Sequence, residues 1–268
     1  LHRNVRTIYT GYLRTILSSV IFDYGGYPLL TRQRMHNNPP DYMSEFAQYF
    51  STEIVDIDSP EGAGPVPSNH EEIVREWKFV RPFVAVIDNI DLVGPNALAV
   101  AEDGAFVVEA TTGSTLRVID AVVRAIGAGV MPIHQGTGRG LETAVSFAGP
   151  WSGEFFHWFA DFLPRLRVLQ KWERITNEAP QVIIPSNPQS WVVDSLTRLG
   201  VPPERQARWR GGRLSVDRLI VPSMPRHTHS TAPPEGYVHS PREIGWVRDR
   251  LLETVSEVCA PDVGRRLY

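Results

Sequence analysis

Short apolar runs alternate with helical segments after residue 180, and this alternation constrains the fold more than any other feature of the chain. Residues 181–185 have the length and composition of a buried strand. Residues 190–199 suit a helix that ends at Gly200, and residues 214–221 suit a second strand. Strands that are joined by helices usually pair in parallel. We therefore predict an α/β fold with helices on the faces of a parallel sheet.

A capping pattern marks the start of the last predicted helix. Ser240 precedes Pro241, and Glu243 lies three residues after Ser240, which is the spacing of a capping box. This pattern predicts a helix over residues 241–258. The preceding stretch 223–240 is rich in Pro, His and Thr and is predicted to be a loop.

A Pro-, Gly- and Ser-rich linker at residues 59–68 divides the chain. We expect residues 1–70 to form an N-terminal segment that is irregular apart from a helix over residues 6–22. Residues 71–148 are expected to form a β-rich subdomain. Residues 149–268 are expected to form an α/β, Rossmann-like part.

A turn signal organises the β-rich part. Asp103-Gly104 stands between the apolar runs 97–100 and 105–109, which predicts a hairpin. The other predicted elements here are strands at 83–87, 130–133 and 143–147 and a helix at 115–126. A glycine loop at residues 136–140 has the spacing G-x-G-x-G rather than that of a dinucleotide-binding motif, so a hairpin turn is favoured over a phosphate cradle.

Composition excludes several classes of protein. The 268 residues are 42% hydrophobic and 21% charged, as in ordinary globular proteins. A net charge of −3 argues against general nucleic-acid binding. The single cysteine, Cys259, excludes an internal disulfide framework and a cysteine-based zinc site. Because the chain begins at Leu1 and residues 265–268 look like the opening of a strand, we expect a fragment at both ends.

No apolar run reaches the roughly 18 residues that a membrane-spanning helix needs. Residues 12–22 are apolar but short, and Arg14, Ser18 and Ser19 interrupt them. A core helix is favoured over an amphipathic helix on a membrane surface.

The stretch 151–166 has the pattern of a helix with one apolar face and one polar stripe. The residues of the stripe share an arc of about 80° and are Glu154, His157, Asp161 and Arg165. His157 and Asp161 are spaced i, i+4, so their side chains can touch. A turn at residues 149–153 leads into the helix and would place free N–H groups beside the stripe. Pro164 is expected to kink the helix.

This combination of an acid, an imidazole, a cation and a helix start is typical of a functional site. Phe156 and Trp158 flank His157 and indicate a partly dry environment. The alternative is that the stripe is only the solvated side of a helix, which His157 and Asp161 stabilise.

Three other groups of residues carry weaker signals. Ser152 does not lie in a G-x-S-x-G nucleophile elbow, which argues against a hydrolase. His227, His229 and His239 lack partners at a metal-site spacing, so a surface loop is favoured, although such a loop can line a cleft. The basic stretch 208–213 is read as a hairpin tip, with anion binding as the alternative.

Several motifs, taken in order, resemble glycosyltransferase family 61, whose members are often linked to capsular or surface polysaccharide synthesis. The resemblance covers roughly residues 80–268. Its most specific part is Phe156-His157-Trp158, between Trp151-Ser152-Gly153 and the pattern Asp-x-Leu-Pro-Arg-Leu that ends at Leu166. The other motifs are Leu92-Val93-Gly94-Pro95-Asn96, residues 182–185, Leu199-Gly200-Val201, residues 219–223, and residues 241–252 with their Trp-x-Arg centre.

The resemblance implies a GT-B-like fold, of which this chain would be mainly the N-terminal acceptor-side domain, cut where the donor-binding domain would begin. It implies an inverting transfer from a nucleotide sugar, with no obligatory metal and no other cofactor. His157 would then be the catalytic base, and Asp161 would orient it. Substrate contacts would come from Ser152, Gly153, Glu154 and Arg165.

The implied partners are a nucleotide-sugar donor and a saccharide or lipid-linked glycan acceptor, with no nucleic acid. The implied location is the cytoplasm, with peripheral association at the membrane surface where lipid-linked acceptors are built. The main alternative is a non-catalytic carbohydrate-binding or assembly protein of the same fold. A hydrolase or esterase on an α/β sheet is a further alternative.

Overall fold

The computed structural model describes residues 29–58, 76–111, 113–136, 140–228 and 237–255, and nine of its strands form one mixed sheet. These nine are β1 (Leu29–Leu30), β2 (Met43–Gln48), β5 (Phe83–Val93), β6 (Leu98–Val100), β7 (Phe106–Val107), β8 (Leu141–Ser146), β9 (Gln181–Ile184), β10 (Gln206–Arg208) and β11 (Arg213–Pro222). Two antiparallel pairs lie outside that sheet: β3 (Glu53–Asp56) with β4 (Glu76–Phe79), and β12 (Arg226–Thr228) with β13 (Tyr237–His239).

The helices of the described residues are α1 (Arg32–Asn37), α2 (Val108–Thr111), α3 (Thr115–Gly127), α4 (Phe155–His157) with a π-helix (Trp158–Phe162) directly after it, α5 (Arg165–Thr176), α6 (Ser190–Arg198) and α7 (Pro241–Val255). A 3-10 turn (Pro203–Arg205) precedes β10. Within these residues no helix combines the length and the apolar character that crossing a membrane requires.

The longest strand, β5, joins a parallel part of the sheet to a mixed part. One edge of β5 pairs antiparallel with β2 and β6, and the other edge pairs antiparallel with β11. From β11 the strands β8, β9 and β10 follow side by side, each parallel to its neighbour. The predicted α/β fold is therefore confirmed, with parallel strands after residue 140. Strands from both 71–148 and 149–268 belong to this one sheet.

The two faces of the sheet bury different kinds of residue. Side chains alternate along β5, so Val84 points to the face on which α5, α6 and α7 pack. Ala85 points to the opposite face, whose core consists mainly of strand residues, many of them alanine. Trp209, just after β10, belongs to that second core and donates from Nε1 to the carbonyl of Gly94 at 3.0 Å. The sheet therefore curls and brings β10 towards the end of β5.

The expectation that residues 1–70 are irregular is wrong for the described part of that segment. Residues 43–48 form β2, which pairs with the first half of β5, and Phe46 packs on Phe83 with ring centroids 4.9 Å apart. The strand shows no clean alternation of buried and exposed residues. Because its sequence lacks the period-two pattern, the strand signal was weak.

The strand expected at residues 130–133 is also wrong. Arg213 donates to the carbonyls of Met131 and Ile133 at 2.8 and 2.5 Å, and the buried Asp91 accepts from the N–H of Gln135 at 2.7 Å. Charged side chains therefore satisfy this backbone, and no strand ladder forms. The hairpin expected around the glycine loop at 136–140 lacks its first strand.

Several shorter predictions are confirmed at their core and corrected at an end. The hairpin forms, with Val100 paired with Phe106 and the Asp103 carboxylate accepting from the Ala105 N–H at 2.8 Å. Its second strand ends at Val107 rather than Glu109, because α2 begins there. Helices α3 and α6 lie where the sequence predicts them, and β8, β9 and β11 match three predicted strands within two residues.

The capping box of α7 is only half formed. The N–H of Glu243 donates to Ser240 Oγ at 3.1 Å, as predicted. The Glu243 carboxylate instead binds Arg167 and Arg242. A hydrogen bond between two charged groups is stronger than one to a neutral backbone N–H, which explains the exchange of partners.

Some predictions fall outside the described residues. They are the helix at 6–22, the linker at 59–68, the side chain of Cys259, the strand at 265–268, and His229. The helix predicted over 241–258 is described as far as Val255.

Candidate active site

The candidate site lies where two neighbouring parallel strands end. β8 ends at Ser146 and β11 ends at Pro222, and the segments that follow them meet around Asp161. In α/β sheets, ligands usually bind outside the carboxyl ends of the parallel strands. The position of the polar stripe in the fold therefore agrees with that of a binding site.

The predicted helix over residues 151–166 is broken into three pieces. Residues 149–154 form turns, α4 makes one helical turn, and the π-helix follows with a hydrogen bond from Leu163 N to the Trp158 carbonyl at 2.9 Å. Pro164 cannot donate a backbone hydrogen bond, and α5 begins just after it. The free N–H groups expected beside the stripe belong to a helix of only three residues, so they form no helix-terminus site.

Asp161 is the centre of the site. Its carboxylate is only 2% exposed. Its Oδ2 lies 2.8 Å from His157 Nδ1, the contact that the i, i+4 spacing predicts. Its Oδ1 lies 3.1 Å from His239 Nε2, and Arg226 Nη1 donates to both oxygens at 3.0 Å. One buried acid therefore holds two imidazoles and a guanidinium.

These partners fix the charge of Asp161. Burial by itself would raise the pKa of the carboxyl. The hydrogen bonds from His157 and His239, together with the charge of Arg226, outweigh burial and hold the pKa well below its ordinary value. Asp161 is therefore an anion at neutral pH. Since an anionic carboxylate can only accept, the facing nitrogen of each imidazole carries the proton.

The same argument gives the tautomer of His157. With the proton on Nδ1, the neutral ring keeps a lone pair on Nε2. Within the described part of the chain, Nε2 has no hydrogen-bond partner, and the side chain is 25% exposed. A base needs a free lone pair in reach of its substrate, and the neutral form of His157 offers one.

Two further site residues are Arg226, which the sequence analysis did not identify, and His239, which it assigned to a surface loop. The strand register places Arg226 directly opposite His239 in the β12–β13 pair, so both side chains point to one face, towards Asp161. His227 points to the other face and packs on Trp77 and Phe79 at 5.5 and 6.0 Å. The sequence did not reveal this pair of strands, because each strand has only three residues and the stretch 223–240 has the composition of a loop.

An aromatic side chain supports His157 from the preceding turn. The Trp151 ring stacks on the imidazole with a centroid distance of 4.8 Å and an interplanar angle of 17°. The guanidinium carbon of Arg117 lies 4.5 Å from the centroid of the Trp151 ring. Trp151 has a φ of +63°, a left-handed conformation that large side chains rarely adopt. Strained residues of this kind cluster at functional sites.

Arg165, an expected substrate contact, lies inside the protein. It is 1% exposed and donates to the carbonyls of Pro222 and Ser146 at 3.1 and 3.2 Å, and its guanidinium carbon lies 5.1 Å from the Phe147 ring centroid. Burial lowers its pKa to about 10, an effect that the charges of Glu109 and Asp161 partly offset, so it stays a cation at neutral pH. Arg165 thus joins the ends of β8 and β11 and is out of reach of a substrate.

The other three expected substrate contacts separate into two groups. Ser152 is buried, and its Oγ donates to the Gly149 carbonyl at 2.8 Å and accepts from the Gly149 N–H at 3.2 Å. It therefore closes its own turn. Gly153 and Glu154 are exposed beside α4 and remain open to a ligand.

A second buried acid, Glu109, supports the segment after β11. Arg32 Nη2 donates to Glu109 Oε1 at 2.6 Å, and the N–H of Met224 donates to the same oxygen at 2.5 Å. This role was not predicted, because Glu109 lies at the end of a strand predicted from the sequence. Together with Arg165, Glu109 fixes the path of residues 222–226 and so the position of Arg226.

Among the described residues, no group of three or more His, Cys, Asp and Glu side chains has an arrangement that suits a metal ion. Comparisons of the chain with family models, with curated proteins and with solved structures find no match in any of the three. The resemblance to glycosyltransferase family 61 therefore stays a prediction from the motifs of the sequence.

Proposed function

We propose that this protein is a glycosyltransferase that moves a sugar from a nucleotide-sugar donor to a hydroxyl of a saccharide or glycan acceptor with inversion. One observation carries the proposal. His157 is held through Nδ1 by a buried anionic carboxylate at 2.8 Å and keeps Nε2 free at the carboxyl ends of parallel strands. The order of motifs from residue 80 onwards supports the same conclusion.

In the proposed reaction His157 acts as the general base. Its Nε2 takes the proton of the acceptor hydroxyl while the oxygen forms a bond to the anomeric carbon of the donor. The bond between that carbon and the nucleotide phosphate breaks, and the electron pair leaves with the phosphate. The imidazolium that results is stabilised by Asp161, which also holds the ring in the required tautomer.

The proposal extends to the architecture. The curled sheet of residues 29–228 would be the acceptor-side, Rossmann-like domain of a GT-B enzyme, and the donor nucleotide would bind a second domain. The position of His157 supports this division, because its free nitrogen faces outwards at the end of the sheet. The reaction needs no metal in this scheme, and synthesis of surface or capsular polysaccharide would be its setting.

The second candidate is a non-catalytic carbohydrate-binding protein with the same cleft. It is favoured by the inward orientation of Arg165 and Ser152, which removes two of the groups expected to hold a reactive donor or acceptor. Such a protein would bind saccharides without consuming a nucleotide sugar.

The test measures release of free nucleotide and a new glycosidic product from a panel of nucleotide sugars and saccharide acceptors, with protein expressed from its full reading frame. We expect His157→Ala to lower the rate by ~10²–10⁴, the usual contribution of a general base. His227→Ala is the matched control, since this histidine packs on Trp77 and Phe79 away from Asp161. Full activity in His157→Ala would overturn the assignment. Saccharide binding without turnover would favour the second candidate.

A further inference from the structure

Phe156 is a large apolar side chain that the fold leaves in solvent beside both histidines of the site. It is 62% exposed. Its ring centroid lies 5.4 Å from that of His157 and 5.5 Å from that of His239, and it stands nearly perpendicular to both imidazoles, at 76° and 86°. The exposed ring surface therefore borders both histidines that Asp161 holds.

The outward nitrogens of these histidines have a defined hydrogen-bonding character. His157 Nδ1 and His239 Nε2 donate to Asp161, so His157 Nε2 and His239 Nδ1 carry lone pairs when the rings are neutral. Neither outward nitrogen has a partner among the described residues. A ligand that meets both must therefore present two donors. Hydroxyl groups do so, whereas the oxygens of a phosphate dianion only accept.

We infer that Phe156, His157 and His239 form a subsite for the pyranose ring of the acceptor, an inference that rests on the proposed function. One face of a pyranose carries C–H groups, which an aromatic face attracts because its π-electrons are negative. With that face on Phe156, one hydroxyl meets His157 Nε2 and a second hydroxyl meets His239 Nδ1. His157 is the base for the first hydroxyl, and His239 selects acceptors that carry the second.

The chain contains a matched control beside this subsite. Phe155 is also 62% exposed, but its ring packs on Phe159 and Trp191 with centroids 4.6 and 5.5 Å away. It contacts neither imidazole among the ring contacts of the described residues. Phe155→Ala and Phe156→Ala therefore each remove one phenyl ring of equal exposure, and the two rings differ in the side chains that they contact.

In the experiment, the histidines of the 268-residue chain are isotope-labelled and their imidazole signals are followed by NMR. The methyl glycosides of glucose, galactose and mannose are added up to about 100 mM, a range that includes weak millimolar binding. Mannitol supplies hydroxyls without a ring face, and inorganic phosphate supplies acceptor oxygens. We expect at least one glycoside to shift the imidazole signals of both His157 and His239, and mannitol and phosphate to leave them unchanged. Phe156→Ala should weaken that binding about tenfold, Phe156→Tyr should restore it, and Phe155→Ala should leave it within about twofold of wild type.

Three results would overturn the subsite. They are the absence of any glycoside response, equal effects of Phe155→Ala and Phe156→Ala in variants with unchanged circular dichroism, and a response to phosphate or mannitol as strong as that to the glycosides. Because the titration contains no nucleotide sugar, its outcome is separate from that of the transfer assay. Glycoside binding without sugar transfer would support the subsite and contradict the proposed transferase activity. Sugar transfer with an unchanged acceptor KM in Phe156→Ala would support the transferase activity and contradict the subsite.

Discussion

Arg226 Nη1 lies 3.0 Å from each carboxylate oxygen of Asp161, and both side chains are almost completely buried. The guanidinium neutralises an acid that also holds two imidazoles. Because the pair is buried, removal of Arg226 leaves the Asp161 carboxylate without its cation, which costs far more than the loss of a surface pair. The relationship therefore couples the stability of the protein to the geometry of the site.

We expect Arg226→Met to lower the free energy of unfolding by about 3 kcal/mol or more, because Asp161 loses its cation in a buried environment. Urea unfolding monitored by circular dichroism measures the change. Arg248→Met is the control, since the Arg248–Asp249 pair is mostly exposed and should contribute little. Equal effects of the two substitutions would mean that the Asp161 carboxylate is not held as an anion.

The lowered pKa of Asp161 predicts a dependence of stability on pH. A carboxyl with a lower pKa in the folded state binds protons more readily when the chain unfolds. Its stabilisation is therefore complete above the unfolded pKa of about 4 and is lost as the pH falls through the folded pKa. We expect the free energy of unfolding to fall between about pH 5 and pH 2, and to fall less steeply in Asp161→Asn. If the free energy of unfolding fell equally steeply with pH in the wild type and in Asp161→Asn, the result would contradict an ion-paired Asp161.

Trp151 is expected to position His157 rather than to touch the reacting atoms. Its ring stacks on the imidazole, and even a small displacement of a catalytic base lowers the reaction rate strongly. For the proposed transfer we expect Trp151→Leu to lower kcat by about ten- to a hundredfold with KM nearly unchanged, and Trp151→Phe to restore most of the rate. Steady-state kinetics at saturating acceptor measure this. An effect on KM alone would instead assign Trp151 to substrate binding.

Gly94 is expected to tolerate no side chain. It has a φ of +70°, and an added Cβ would lie 2.5 Å from the Cβ of Ala125 and 2.8 Å from its Cα. Strain and overlap together should lower the free energy of unfolding by about 2–4 kcal/mol in Gly94→Ala. Gly127→Ala is the control, because nothing lies within 4 Å of its added Cβ and alanine favours a helix. Thermal unfolding of both variants tests the close approach of Gly94 to Ala125 in α3, and a neutral Gly94→Ala would show that this close approach does not exist in solution.

Local patterns in the sequence predicted much of the architecture. The sequence patterns predicted the parallel strands β8, β9 and β11, although not β10, and the Ser240–Glu243 spacing marked the start of α7. These features depend on residues within one turn or one element of each other, so the sequence carries them directly. The contact between His157 and Asp161 is of the same kind, because four residues of helix bring the two side chains together.

The rest of the site was decided by the tertiary structure. Arg226 and His239 lie 65 and 78 residues from Asp161 along the chain and reach it only because β12 and β13 pair in one register. Arg165 shares the polar stripe with His157, yet the ends of β8 and β11 cover it. Helical periodicity tells which residues share a face. It does not tell which part of the chain packs on that face, and that packing made Asp161 a buried centre and left His157 open to solvent.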